Sequence, residues 1–203
     1  YDWKGVIVEH HSRLLDLYSP FRQDYLNQLE KKIGFTTVRL GKEEDGEVTV
    51  AAPVLYLLML NVHILKHALG LGVGLRQLCD MARAYYKWHA TMEKYELCEI
   101  YRKTGLVRWS NLLHSALREY LGVPVTCLPD DRDKQESPWP LFHIIQQGGN
   151  FGRSAGCCLV SGTGWQRKLF TAQSFFRNGR FIFRYAPWEY VGMISTLLKG
   201  QVR

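Results

Sequence analysis

Two groups of side chains have the types and the spacing for chemistry. In "KGVIVEHHSRLLDL", which begins at Lys4, the residues Glu9, His10 and His11 follow directly on Val6, Ile7 and Val8. On an extended strand residues two apart face the same way, so Glu9 and His11 project together while His10 joins Val6 and Val8. A carboxylate beside an imidazole can hold a divalent metal, or serve as a base with its orienting partner. The competing assignment is a strand end at which both groups are simply hydrated.

The second group is helical. His63 and His67 stand four residues apart, one turn along one face, with Lys66 beside them. Two imidazoles at that spacing suit zinc, yet the glutamate of H-E-x-x-H is missing and the local sequence offers no third ligand. The charge of Lys66 repels a metal and favours an anion. The competing assignment is a polar stripe that edges the core with its hydrogen bonds satisfied. Asp80 lies four residues after Arg76 and three before Arg83, the spacing of a helix-surface ion network, and also that of a group orienting His63 or His67 across a helix pair. The glycines of "GLGVGLRQ" follow a helix where a dinucleotide loop requires a strand, and read as an interhelical turn. Ser154, Ser161, Cys157 and Cys158 fit no nucleophile elbow or Cys-His pattern, so hydrolase chemistry lacks support.

The elements that must position these groups are legible from periodicity. Val6 to His11 alternates as a strand; Pro20 opens a helix that Gly34 closes; "FTTVRLGKEEDGEVTV" is a hairpin around an acidic turn. Val54 to Leu69 is apolar nearly all round, the mark of a centrally buried helix. A helix from about Leu75 to His89 follows, with Leu75, Leu78, Cys79 and Ala82 expected on its inner face. "MEKYELCEIYRKTG" and "RWSNLLHSALREYLG" each end in the glycine common at helix C-termini. Val123 to Pro140, rich in proline and charge, reads as an exposed connector. Beyond it come helices at Leu141 to Gln147, Gly164 to Phe176 and Pro187 to Leu198, and "RFIFRY", which if extended places Phe181, Phe183 and Tyr185 on one face. The fold class is α+β, predominantly helical: a short N-terminal strand and a hairpin, then a helical bundle. The divisions are 1–52, 53–122, a connector at 123–140 and a basic region at 141–203.

With 203 residues, 46% hydrophobic and 22% charged, the chain is a folded globular protein rather than a disordered or fibrous one. Its net charge of +7 is uneven: beyond Thr163, Glu189 is the single acid against Arg167, Lys168, Arg177, Arg180, Arg184, Lys199 and Arg203. Such asymmetry favours an anionic partner, whether nucleotide, nucleic acid or acidic membrane surface, against the plainer assignment of a solvated basic face. Five cysteines without C-x-x-C spacing point to reduced thiols and a cytoplasmic location, and no apolar run is long enough to span a bilayer.

In that order, "VIVEHHSRLL", "LYLLMLNVHILKHALG" and "GLRQLCDMARAY" resemble a bacterial family of mostly uncharacterised nucleotidyltransferases, related to the minimal, polymerase-β-like superfamily. The resemblance extends to about His89, and "FFRNGRFIFRYAPW" is similar to the family's C-terminal region. It implies transfer of a nucleoside monophosphate from a nucleoside triphosphate to a hydroxyl or phosphate acceptor, with Mg²⁺ as the metal. Glu9 would be the third, metal-facing carboxylate and His11 its companion. His63, Lys66, His67 and Arg76 would line the same cleft against the substrate, and Asp80 would orient a histidine. The family's paired carboxylates after a glycine turn are not found; Asp131 and Asp133 have the spacing but sit in a polar connector. Since the superfamily order puts that pair ahead of Glu9, the chain is expected to lack the part that bears it and to be inactive alone. The alternative is a non-catalytic helical module that presents its basic C-terminal region to nucleic acid or an acidic protein. A weaker option is attachment of "FFRNGRFIFRY" to an anionic membrane surface.

Overall fold

The computed structural model describes residues 2–3, 6–7, 13–39, 46–69, 73–129, 136–148 and 179–198. Two short antiparallel ladders hold all the strands in these residues. In the first, β1 (Asp2–Trp3) pairs with β2 (Val6–Ile7), Asp2 opposite Ile7 and Trp3 opposite Val6. In the second, β3 (Phe35–Arg39) pairs with β4 (Glu47–Ala51), from Phe35 opposite Ala51 to Arg39 opposite Glu47. This is the hairpin expected from the alternation, and an Arg39–Glu47 ion pair of 3.1 Å joins the two strands at the end nearest their connection.

Helices make up the rest. Pro20, whose missing N–H is no loss at a helix start, opens α1 (Pro20–Ile33), which buries Gln23, Leu26 and Leu29 along one stripe. Next, α2 (Pro53–Leu69) buries ten of its side chains, as its predominantly apolar sequence requires of a central helix. It packs on α1 and on α3 (Leu75–Trp88). α4 (Lys94–Thr104) and α5 (Val107–Leu121) follow, each closed by a glycine in the left-handed region, Gly105 at φ 68° and Gly122 at φ 65°. α5 lies against α3 and α4, and its fully buried Trp109 donates from Nε1 to the Asn61 carbonyl on α2 at 3.3 Å. Then come α6 (Trp139–Gly148), helical residues 179–185, and α7 (Pro187–Leu198). The result is α+β and predominantly helical. Among the described residues no helix is long and apolar enough to cross a membrane.

Three local expectations are corrected. On α3, Leu75 and Cys79 lie outside, and the inner face is Gln77, Leu78, Met81, Ala82, Ala84 and Tyr85. Cys79 sits about 100° round from Leu78 and leaves the stripe that Leu78, Met81 and Tyr85 share. At the first turn Gln77 displaces Leu75 inward because its Oε1 accepts the Gly74 N–H at 3.0 Å. The start of the supposed exposed connector is packed down, with Val123, Cys127 and Leu128 in the core around a 3₁₀ turn at Val125–Cys127. Finally, residues 179–185 are helical, so Ile182 and Tyr185 share the buried face while Phe183 is 60% exposed. Period 3.6 replaces the assumed period of two. The helix expected over Gly164 to Phe176 lies outside the described residues.

Ile182, Tyr185, Ala186 and Met193 belong to the same core cluster as the side chains of α1 to α5. Phe181 meets Trp109 edge to face, ring centroids 6.4 Å apart. The C-terminal helices therefore help to build the core around α2.

Candidate functional site

The polar stripe on α2 is the candidate site. Along a helix otherwise walled in by leucine, isoleucine and valine, His63, Lys66 and His67 are only half-buried. Spacings of three and four residues put them on one face. The Nε2 atoms of His63 and His67 are 3.0 Å apart, and the rings meet edge to face with centroids 4.5 Å apart. Lys66 Nζ forms an ion pair with Asp16 Oδ2, both side chains about one-third exposed. Arg13 Nη1 stands 4.0 Å from the other Asp16 oxygen.

Asp16 belongs to the segment that leads from the candidate strand into α1, and the reason it faces α2 is local. Leu15 and Leu17 are buried, so the residue between them turns the other way. Gln23 on the first turn of α1 fixes the segment from below, its Nε2 donating to the Leu15 carbonyl at 2.8 Å and its Oε1 accepting the Leu17 N–H at 2.7 Å. Helix α7 fixes it from the side. Glu189, 2% exposed, accepts the Tyr18 N–H on Oε2 at 2.6 Å, so a carboxylate 171 residues away holds the residue just ahead of the Ser19 N-cap of α1.

Burial pushes the Glu189 carboxyl above its ordinary range, opposed by the Tyr18 and Ser19 amides and by Arg22. The Tyr18 hydroxyl is raised by burial and by the charges of Asp16 and Glu189. The guanidinium of Arg22 stacks over Trp188 of α7 at 5.0 Å. It also fills the space beside Gly105, where an added Cβ would lie 2.6 Å from it. Gly192 lets α7 approach closely enough that a Cβ there would lie 2.8 Å from the Tyr18 backbone.

A second polar cluster is wholly interior. The Tyr85 hydroxyl lies 2.7 Å from His114 Nε2 and 3.2 Å from the Tyr101 hydroxyl, joining α3, α4 and α5. Nearby, Asn61 Nδ2 donates to Ser110 Oγ at 3.2 Å. Burial raises both tyrosines and lowers His114 to about 3, so its imidazole is neutral at neutral pH.

The structure thus gathers His63, Lys66 and His67. It adds Asp16, which the sequence reading missed although a charge between two leucines, shortly after Glu9-x-His11, was its signal. Glu189 was noticed only as the lone acid of a basic region; its place in the first turn of the last helix gave no hint of a partner so distant in sequence. Arg76 and Asp80 are exposed on the outer side of α3, and among the described residues no ion pair links either of them to the stripe. Glu9 and His11 lie outside the described residues, as do Asp131, Asp133, Cys157 and Cys158.

The family model that matches is described as an uncharacterised nucleotidyltransferase, and it covers residues 1–122, more than half of the chain. The chain belongs to that nucleotidyltransferase family. No curated protein and no solved structure matches it. The matched span runs from the candidate strand through α5, and so includes both Asp16 and the α2 stripe of this nucleotidyltransferase-family chain, while Glu189 falls beyond it.

Proposed function

We propose that the protein transfers a nucleoside monophosphate from a nucleoside triphosphate to a hydroxyl or phosphate acceptor, and that the α2 stripe lines the substrate cleft. The observation that carries this is the family match over the span that holds the stripe. Its geometry supports the reading: polar side chains on a helix otherwise built for a core are costly to keep there without a use, and Asp16 ties them to the segment leading back to Glu9.

In this reading Glu9 is the metal-facing carboxylate and His11 its companion. His63 and His67 offer ring N–H groups or lone pairs to substrate oxygens. Lys66 has its charge matched by Asp16, so an incoming phosphate must compete with that carboxylate, and Arg76 on α3 is the better-exposed cation. Asp80, equally exposed, would orient a histidine only once bound substrate drew the two helices' side chains together.

Mg²⁺ is the ion such a transfer calls for, because a divalent cation neutralises the triphosphate and aligns the attacking hydroxyl. The described residues do not fit it by themselves, since no group of three or more His, Cys, Asp or Glu among them could hold a metal. No step is therefore assigned to the ion.

The test is Glu9→Gln in the whole protein, read by release of pyrophosphate from ATP or CTP and by label transfer to acceptor. The variant is expected to lose transfer while its unfolding midpoint stays that of the wild type. Undiminished turnover in the variant removes Glu9 from the reaction.

A further inference from the structure

We infer that His63 and His67 form a two-ligand chelate for a borderline divalent ion of the Ni²⁺, Co²⁺ and Zn²⁺ class, a site separate from any carboxylate-held Mg²⁺. The inference does not depend on the transfer reaction.

The geometry is the first argument. The Nε2 atoms converge to 3.0 Å from successive turns of one helix. With metal–nitrogen bonds of about 2.05 Å, an ion bridging atoms 3.0 Å apart subtends about 94°, from twice the arcsine of 1.5/2.05. That is close to the right angle of octahedral coordination. Opening the pair to about 3.3 Å reaches the tetrahedral angle that zinc prefers. Small ring rotations cover the difference, and the helix supplies the preorganisation.

The electrostatics are the second argument. From sequence alone Lys66 tells against a cation at this place. In the structure its ammonium is paired with Asp16, so that positive charge is matched by a carboxylate. Imidazole nitrogens without carboxylate oxygens select borderline metals over Mg²⁺, which demands oxygen ligands. Two histidines are the ligands assigned here, and no group of three or more His, Cys, Asp or Glu among the described residues could hold a metal. Without metal the two Nε2 atoms stand at hydrogen-bond distance, with donor and acceptor set by the tautomers. Metal and proton therefore compete for the same nitrogens.

The test uses the full chain, stripped with chelator and titrated with Co²⁺ and Zn²⁺ by calorimetry and by the visible absorption of Co²⁺. One saturable equivalent is expected, abolished in His63→Gln/His67→Gln and unchanged in His89→Gln. Wild-type protein supplies the arm that does not depend on the variant's folding: imidazole ¹⁵N signals of His63 and His67 should broaden together on adding substoichiometric Co²⁺, ahead of those of His89 and His114. No saturable binding up to millimolar metal, binding that survives in the double variant, or broadening centred on other histidines would each overturn the site.

Discussion

Acid should weaken this protein through one interior histidine, and the size of the effect can be worked from its surroundings. His114 is held at about 3 in the folded protein by burial against Tyr85 and Tyr101, whereas an exposed histidine titrates near 6.5. The folded pKa is depressed, so the unfolded chain takes up the proton first. The stability contribution is complete above about pH 6.5 and is lost as pH falls toward 3. Between pH 8 and pH 4.5 the loss is RT ln[(1 + 10²)/(1 + 10⁻¹·⁵)], about 3 kcal/mol, and at full development it approaches about 5 kcal/mol. For a protein of this size about 3 kcal/mol corresponds to a fall in Tm of roughly 6–12 °C. Other groups titrate in the same range, so the assay is a difference. Urea unfolding of wild type and His114→Gln is compared at pH 8, 6.5, 5.5 and 4.5, the amide standing in as a non-titrating partner for the Tyr85 hydroxyl. At pH 8 the variant should be less stable by about 1–3 kcal/mol for the poorer fit and hydrogen bond. Its deficit should shrink by about 3 kcal/mol on reaching pH 4.5. A gap between the two proteins that stays constant to within about 0.5 kcal/mol across the series would refute the reasoning.

Two further expectations concern the seat of α7 on the start of α1. Gly192→Ala in an exposed helix would add stability of up to about 1 kcal/mol, but here the new methyl would press on the Tyr18 backbone at 2.8 Å; a net loss of about 1–3 kcal/mol by denaturant unfolding is expected, and a gain would show that the contact yields freely. Glu189 carries a folded-state pKa raised by burial, so its contribution is greatest below the unfolded carboxyl pKa and is lost as pH rises through the folded value. Glu189→Gln, which keeps an acceptor for the Tyr18 amide, should therefore gain on wild type as pH is raised from 4 toward 7, and a relative stability independent of pH would refute it.

Most of the helices were readable because their causes are local. Pro20, Gly34, Gly105 and Gly122 punctuate the chain, and the all-round apolar run of α2 could only be central. The face of α3 was misjudged at Leu75 and Cys79 because a helix's buried stripe is fixed by its neighbours, and a tolerant sequence permits a rotation by one residue. The stretch around Phe183 alternates well enough to mimic a strand, and only packing against Trp109 shows that it turns as a helix. At the site, the pairing of His63 with His67 followed from spacing, whereas the Lys66–Asp16 bond and the Tyr18–Glu189 bond join residues 50 and 171 positions apart. No periodicity reports contacts across such distances. The polar core of Tyr85, Tyr101 and His114 escaped notice for the same reason: each residue sits on its own helix, and only assembly makes them a cluster.

The carboxylate held against the residues that lead into α1 also bears on the order of folding. Tyr18 and Glu189 stand 171 positions apart, so the bond between them closes a long loop of chain. Contacts of that separation are expected to form after the nearer ones that join α2 to α5, which leaves the approach to α1 among the parts fixed last.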